Sequence, residues 1–252
     1  MEMENVLLEI CCGSLDDALE AEGGGADRVE LCSALFLGGL TPSFGTIIEA
    51  KARLNIPIMV MIRPRGGGFC YTKAEMAVME QDTVLAVERG ADGIVFGILN
   101  QDGTIDLDRS KRILKLVGGR QAVFHRAFDV TPDPLKSLDQ LVDLGVTRIL
   151  TSGQEDTGPE GAPLIKRLID YAGDRIEILP GGGIKPHNLQ QMVQFTGCKQ
   201  VHLAAFGVER DPSTQARPLV TFGGALHLPE DQYNVTDRSL VRRIAQMLKR
   251  PE

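Results

Sequence analysis

A chain of 252 residues with 43% hydrophobic and 24% charged residues is too apolar to be disordered and long enough for one α/β barrel, a fold that takes roughly 250 residues. The formal net charge of -7 excludes a nucleic-acid partner, because neutralising phosphates needs clustered Lys and Arg. No apolar run approaches the ~20 residues that cross a bilayer, the start Met1-Glu-Met-Glu4 lacks the basic and apolar parts of a secretion signal, and five scattered cysteines, an odd number, argue against a disulfide framework. No membrane association and a cytoplasmic location are therefore expected.

Eight short apolar runs alternate with amphipathic stretches along the chain. The run at 6–11 precedes a helix predicted over 14–22, and the run at 28–31 precedes one over 42–54. The runs at 58–62, 93–96 and 122–124 lead into helices over 73–89, 106–117 and 134–144. Those at 148–151 and 176–179 lead into helices over 161–172 and 185–195, and the run at 200–203 is the eighth. Runs that are apolar throughout suit strands covered on both faces, as in a parallel sheet.

A weak repeat supports this alternation. Gly25-Ala-Asp-Arg-Val-Glu-Leu31, Gly90-Ala-Asp-Gly-Ile-Val-Phe96 and Gly145-Val-Thr-Arg-Ile-Leu150 each place glycine before an apolar run, where a left-handed residue can stop a helix just before the next strand. The chain therefore reads as one TIM (β/α)8 barrel domain over 1–252, its core at about 5–205. Beyond it, 207–231 reads as a long loop holding a short apolar piece at 219–222, followed by a final helix around 236–249. A loop of that length is expected to cover the rim or to serve as a contact in a homo-oligomer.

In such a barrel the carboxyl ends of the strands build the active face. The ends here carry Glu9, Glu30, Arg63, Gly97, His125-Arg126, Thr151-Ser152, Pro180-Gly-Gly-Gly183 and His202. Glu9 with Cys11, and Glu30 with Cys32, are spaced two apart, so each pair projects to one side of an extended strand. Two adjacent Glu-x-Cys ends would join two carboxylates and two thiols at the mouth. The plainer alternative buries the cysteines as small apolar residues and pairs Glu9 and Glu30 with Arg63.

Arg63-Pro-Arg65-Gly-Gly-Gly68 could grip a carboxylate or phosphate through guanidinium forks. Pro180-Gly181-Gly182-Gly183 is similar to the phosphate loop that many barrels carry after the seventh strand, and Arg126 and Ser152 extend the anion-binding set. His125 with Asp129 nearby could form an oriented acid/base pair, with Glu9 and Glu30 as further candidate catalytic groups. A hydrogen-bonded structural role is the preferred reading of His202. No predicted strand contains a lysine, which disfavours Schiff-base chemistry, and no nucleophile elbow, Walker loop or His-Glu-x-x-His is present.

Leu8-Glu-Ile-Cys11, Gly24-Gly-Ala-Asp-Arg-Val-Glu-Leu-Cys-Ser33, Met61-Ile-Arg-Pro-Arg-Gly66, Ala91-Asp-Gly-Ile-Val-Phe-Gly97, Phe124-His-Arg-Ala-Phe-Asp129, Ile149-Leu-Thr-Ser-Gly153 and Leu179-Pro-Gly-Gly-Gly-Ile184 occur in this order. Together they resemble the CutC family of copper homeostasis proteins over about 9–202. The resemblance implies a cytoplasmic barrel associated with copper tolerance and, by motif, Cys11 and Cys32 as copper ligands; it implies no reaction. Two soft thiolates suit Cu(I), the oxidation state a reducing compartment supplies. Two expectations follow: a Cu(I)-binding protein using Cys11 and Cys32, or a barrel enzyme acting on a small anionic or phosphorylated ligand.

Overall fold

Every apolar run forms a strand, because each is buried between a ring of helices and the barrel interior. β1 (Leu7–Cys12), β2 (Arg28–Leu31), β3 (Ile58–Met61), β4 (Gly93–Phe96), β5 (Gln121–Phe124), β6 (Arg148–Thr151), β7 (Glu177–Pro180) and β8 (Gln200–Leu203) are parallel and pair in the order β7-β6-β5-β4-β3-β2-β1-β8. β7 packs beside β8, so the circle closes by contact and not by a hydrogen-bonded ladder. The molecule is the expected (β/α)8 barrel; this computed structural model describes residues 6–223 and 230–249.

The helices are α1 (Leu15–Gly24), α2 (Phe44–Arg53), α3 (Lys73–Glu88), α4 (Leu107–Val117), α5 (Pro134–Leu144), α6 (Ala162–Ala172), α7 (Pro186–Thr196) and α8 (Arg238–Leu248). Side-chain caps mark their starts. The Ser14 side chain accepts from Asp17 N, Thr72 and Glu75 form a reciprocal capping box, and Asp133 caps α5 with Pro134 in the first turn. Each satisfies amides that have no partner within the helix. The repeated glycine joint holds at Gly25 and Gly145, which end α1 and α5 at φ of 95° and 80°.

Alternation along the strands separates two buried regions. Leu8, Ile10, Val29, Leu31, Ile58, Val60, Ile94, Phe96, Phe124, Ile149 and Val201 face the helices in the main core. Met59, Met61, Val95, Val123, Leu150 and Leu179 fill the barrel interior. The interior is mixed: beside these apolar side chains, β8, β1 and β2 supply Gln200, His202, Glu9, Cys11, Arg28 and Glu30, Cys32 follows β2 directly, and Arg148 of β6 hydrogen-bonds Gln121 of β5 and Glu177 of β7.

Three features depart from expectation. Several strand ends shift by one residue, as at β7, where Pro180 completes the strand. Two 3-10 turns, Leu35–Leu37 and Arg126–Val130, sit directly on the rim, too short for helical periodicity to reveal. The segment read as a loop contributes β9 (Phe206–Arg210) and begins an antiparallel ribbon that β10 (Gln232–Thr236) completes; 224–229 lie outside the described residues. Asp17 accepts from the Thr236 amide, and α8 returns to pack on α1. The apolar piece at 219–222 is largely on the surface, with Leu219 94% exposed.

Candidate functional site

Neighbouring strands bring the two Glu-x-Cys ends together. Glu9 is level with Arg28 of β2 on one side and His202 of β8 on the other, and Cys11 is level with Glu30. The Cys11 and Cys32 thiols both donate to Glu30 Oε2, at 3.3 and 3.5 Å. Donor atoms of Cys11, Glu30 and Cys32 lie within 4.8 Å of one another, as do those of Glu9, Glu30 and His202.

His202 joins these two sets. Its Nδ1 lies 2.8 Å from Glu9 Oε1 and its Nε2 3.8 Å from Glu30 Oε2. The other Glu9 oxygen accepts from Arg28 Nε, and Arg28 Nη2 reaches Gln200 at 2.8 Å. Arg28 is not among the expected site residues, and His202, expected as a hydrogen-bonded structural residue, sits between Glu9 and Glu30. The two-residue alternation that picked out Glu9 and Glu30 extends directly to both.

The surroundings divide the protons unevenly. Burial opposes ionisation of Glu9, but hydrogen bonds and positive charge from His202 and Arg28 hold its pKa at about 2. Burial likewise opposes charge on His202, yet Glu30, Cys11 and Glu9 push its pKa well up. A hydrogen bond from Cys32, opposed by burial and reinforced by His202, brings Cys11 down to about 5. Burial and the neighbouring Cys11 push Glu30 well up, while the bond to Cys11 and burial do the same to Cys32. The corner therefore favours an ionised Glu9, holds protons on His202 and Glu30, and lets Cys11 lose its proton more readily than Cys32. These groups titrate as a unit.

The remaining predicted residues separate into two groups. Arg63 is not a partner of Glu9 or Glu30: Nη1 donates to the carbonyls of Leu37 and Gly39, Nη2 to that of Gly67, and Nε is buried without a hydrogen-bond partner. Arg65 is spent on Glu75 and on the carbonyls of Gly66, Gly68 and Cys70. Both arginines fasten rim loops, which carry more backbone carbonyls than amides can satisfy locally.

His125 and Asp129 do not pair. His125 Nδ1 accepts from the Ala127 amide at 3.1 Å, its ring packs on Phe69, and burial with Arg63 nearby lowers its pKa to about 3. Asp129 instead accepts from Arg126, Thr151, Ser152 and Gln154, because the 3-10 turn carries it toward β6. Arg126, Ser152 and the glycine turn do come together. Arg126 Nη2 is 2.6 Å from Ser152 Oγ, and its Nη1 approaches Gly182. Gly181 lies against the His202 ring.

Comparison with known proteins fits this geometry. The profile of the CutC family matches residues 6–207. The chain belongs to the CutC family. A CutC family protein of Treponema denticola is 49% identical over 246 residues, covering 98% of this chain and 100% of its own length. The human protein named copper homeostasis protein cutC homolog is 43% identical over 243 residues, 96% of this chain and 89% of its own. A solved CutC structure from Streptococcus agalactiae superposes with a TM-score of 0.75 at 45% identity, covering 79% of this chain and 98% of that one. At 14% identity and a TM-score of 0.54, phosphoribosylanthranilate isomerase of Pyrococcus furiosus shares the fold alone.

Proposed function

We propose that this CutC-family chain handles copper by binding Cu(I) through Cys11 and Cys32. The observation that carries the reading is the convergence of both thiols on one Glu30 oxygen. Two soft sulfur donors within 4.8 Å of each other match a soft monovalent ion that accepts low coordination. Loading displaces the thiol protons, so binding is expected to tighten as pH rises. The human and mouse relatives carry copper homeostasis in their names, which agrees with this chemistry. No described helix is long and apolar enough to cross a membrane; with its cysteines present as free thiols, we place the protein in the reducing cytoplasm.

Titration of the reduced protein with Cu(I) against a competing chelator tests the reading. Cys11→Ser and Cys32→Ser should each lower affinity by more than tenfold, on the order of 1.4 kcal/mol. Affinity unchanged in the double variant would overturn it.

A second reading keeps the anion site, restricted to Arg126, Ser152 and Gly181–Gly183. No hydrogen bond occupies the Gly182 and Gly183 amides among the described residues, and Arg126 Nη1 lies beside them. A small phosphate or carboxylate held there would reach toward His202 across Gly181. Inorganic phosphate should shift the Gly182 and Gly183 amide resonances in the wild type and not in Arg126→Gln. Unmoved resonances would remove the anion site.

A further inference from the structure

The two thiols at the barrel mouth differ in access and share a set of proton carriers, an arrangement that metal binding does not require. Cys11 is partly accessible. Cys32 is 1% exposed and roofed by the Gly39 backbone, where an added side-chain carbon would meet the Cys32 sulfur at 3.1 Å. A reagent entering from solvent therefore meets Cys11 first, and Cys32 is reached through Cys11. Behind Cys11 stands His202, oriented through Nδ1 by Glu9, with Glu9 fixed in turn by Arg28.

We propose that Cys11 and Cys32 form a two-cysteine redox centre that reduces small hydroperoxides, with Cys11 attacking and Cys32 resolving. The inference uses the same two sulfurs as the copper reading but does not depend on it. In the first step the Cys11 sulfur attacks one peroxide oxygen and the O–O bond breaks. The leaving oxygen departs as water or an alcohol with the proton lost by the Cys11 thiol, for which the neighbouring His202 imidazole is the carrier, and Cys11 becomes a sulfenic acid. In the second, the Cys32 sulfur attacks the Cys11 sulfur, the S–O bond breaks, and a second water leaves with the Cys32 proton. In sum, two thiols and one hydroperoxide give a disulfide, one water, and one further water or alcohol. The peroxide is reduced by two electrons and the sulfur pair oxidised by two.

The positions suit the second step. Both sulfurs already point at one carboxylate oxygen, so closing a bond of about 2.05 Å asks them to turn from Glu30 toward each other. The other cysteines provide internal controls. Cys70 is exposed, whereas Cys12 and Cys198 are buried, and none of the three shares the His202–Glu9 arrangement. If exposure alone governed oxidation, Cys70 would react first.

One equivalent of hydrogen peroxide, added to the reduced full-length protein without metal, tests this directly. Two of the five thiols should be lost, with a single crosslinked peptide containing Cys11 and Cys32 and no oxygen retained at Cys70. In Cys32→Ser, the Cys11 sulfenic acid should persist and be trapped by dimedone; in His202→Asn, Cys11 should lose its lead over Cys70. Oxidation beginning at Cys70, or wild-type Cys11 proceeding to sulfinic acid without a crosslink, would overturn the proposal. Cu(I) titration of the oxidised protein separates the two readings. A disulfide that forms while Cu(I) affinity is unchanged sinks the copper reading and leaves this one. Cysteine-dependent Cu(I) binding without a disulfide does the reverse.

Discussion

Glu9 Oε1 lies 2.8 Å from His202 Nδ1, and this one contact links β1 to β8 inside the barrel and sets which way the imidazole faces. With His202 on one oxygen and Arg28 on the other, the Glu9 carboxyl is held below its ordinary range although burial opposes its charge. A buried charge persists only when paired and hydrogen-bonded on its remaining sites.

Arg28→Met should therefore destabilise the fold by about 3–5 kcal/mol, the usual cost of leaving one member of a buried ion pair alone. Glu9→Gln in the same chain should recover part of that loss, since the stranded charge is then gone. Urea unfolding of the four proteins of the cycle measures the coupling. Additive effects would mean that the pair contributes nothing as a pair.

His125 supplies a pH dependence whose sign is fixed by its surroundings. Burial first, then the Arg63 charge, lower its pKa to about 3 from 6.5, so between those values the unfolded chain binds the proton and the folded one does not. Its contribution to stability is complete above about pH 6.5 and is lost as pH falls toward 3. Glu30, with its raised pKa, acts in the opposite direction over part of this window, so the comparison must be made by difference. The melting temperature of wild type minus that of His125→Gln should fall steadily on acidification from pH 6.5 to 4. A flat difference would mean that His125 is not held neutral.

Gly97 makes room for that histidine. A side-chain carbon there would collide with the His125 ring and crowd Ala127, so Gly97→Ala should cost about 1–3 kcal/mol, as overpacking does. Its effect should shrink when combined with His125→Ala, which thermal unfolding of the double variant would reveal.

Arg63 ties the loop after β2 to the loop after β3 through three carbonyls. Lysine keeps the charge but loses the fork, so Arg63→Lys should leave the barrel folded while loosening both loops. Limited proteolysis should then cut within 35–39 or 65–68 faster than in wild type. An unchanged cleavage pattern would show that the fork does not hold them.

The strand sequence was legible because the runs are mostly apolar and set between amphipathic stretches, and the Glu9, Cys11, Glu30 and Cys32 corner followed from a two-residue period on strands that become neighbours. His202 and Arg28 obey the same period but resemble ordinary hydrogen-bonded core residues in isolation; only the register opposite Glu9 reveals what they do. Asp129 departs from expectation because the 3-10 turn after His125 turns its carboxylate toward Thr151 and Ser152, and sequence distance carries no sign of that turn. Arg63 and Arg65 look like free cations in a glycine-rich stretch, whereas carbonyls of that stretch, the carbonyls of Leu37, Gly39 and Cys70, and the Glu75 carboxylate take most of their donors. The β9–β10 ribbon was hidden by its polar, exposed residues, which carry no burial pattern.

The sheet order leaves β7 and β8 side by side without a ladder, so the barrel has a seam. Cys11 and His202 belong to β1 and β8, and Cys32 directly follows β2, all on one flank of it. Anything that clasps these three side chains, whether a metal ion or a new sulfur–sulfur bond, binds that flank more tightly to itself without fastening it to β7. The barrel then has a stiffened lip and a freer one, meeting at Gly181, where the glycine turn touches the His202 ring. Amide exchange along β8 should slow on loading while that of β7 stays as it was, making the seam a place to observe occupancy of the mouth from outside it.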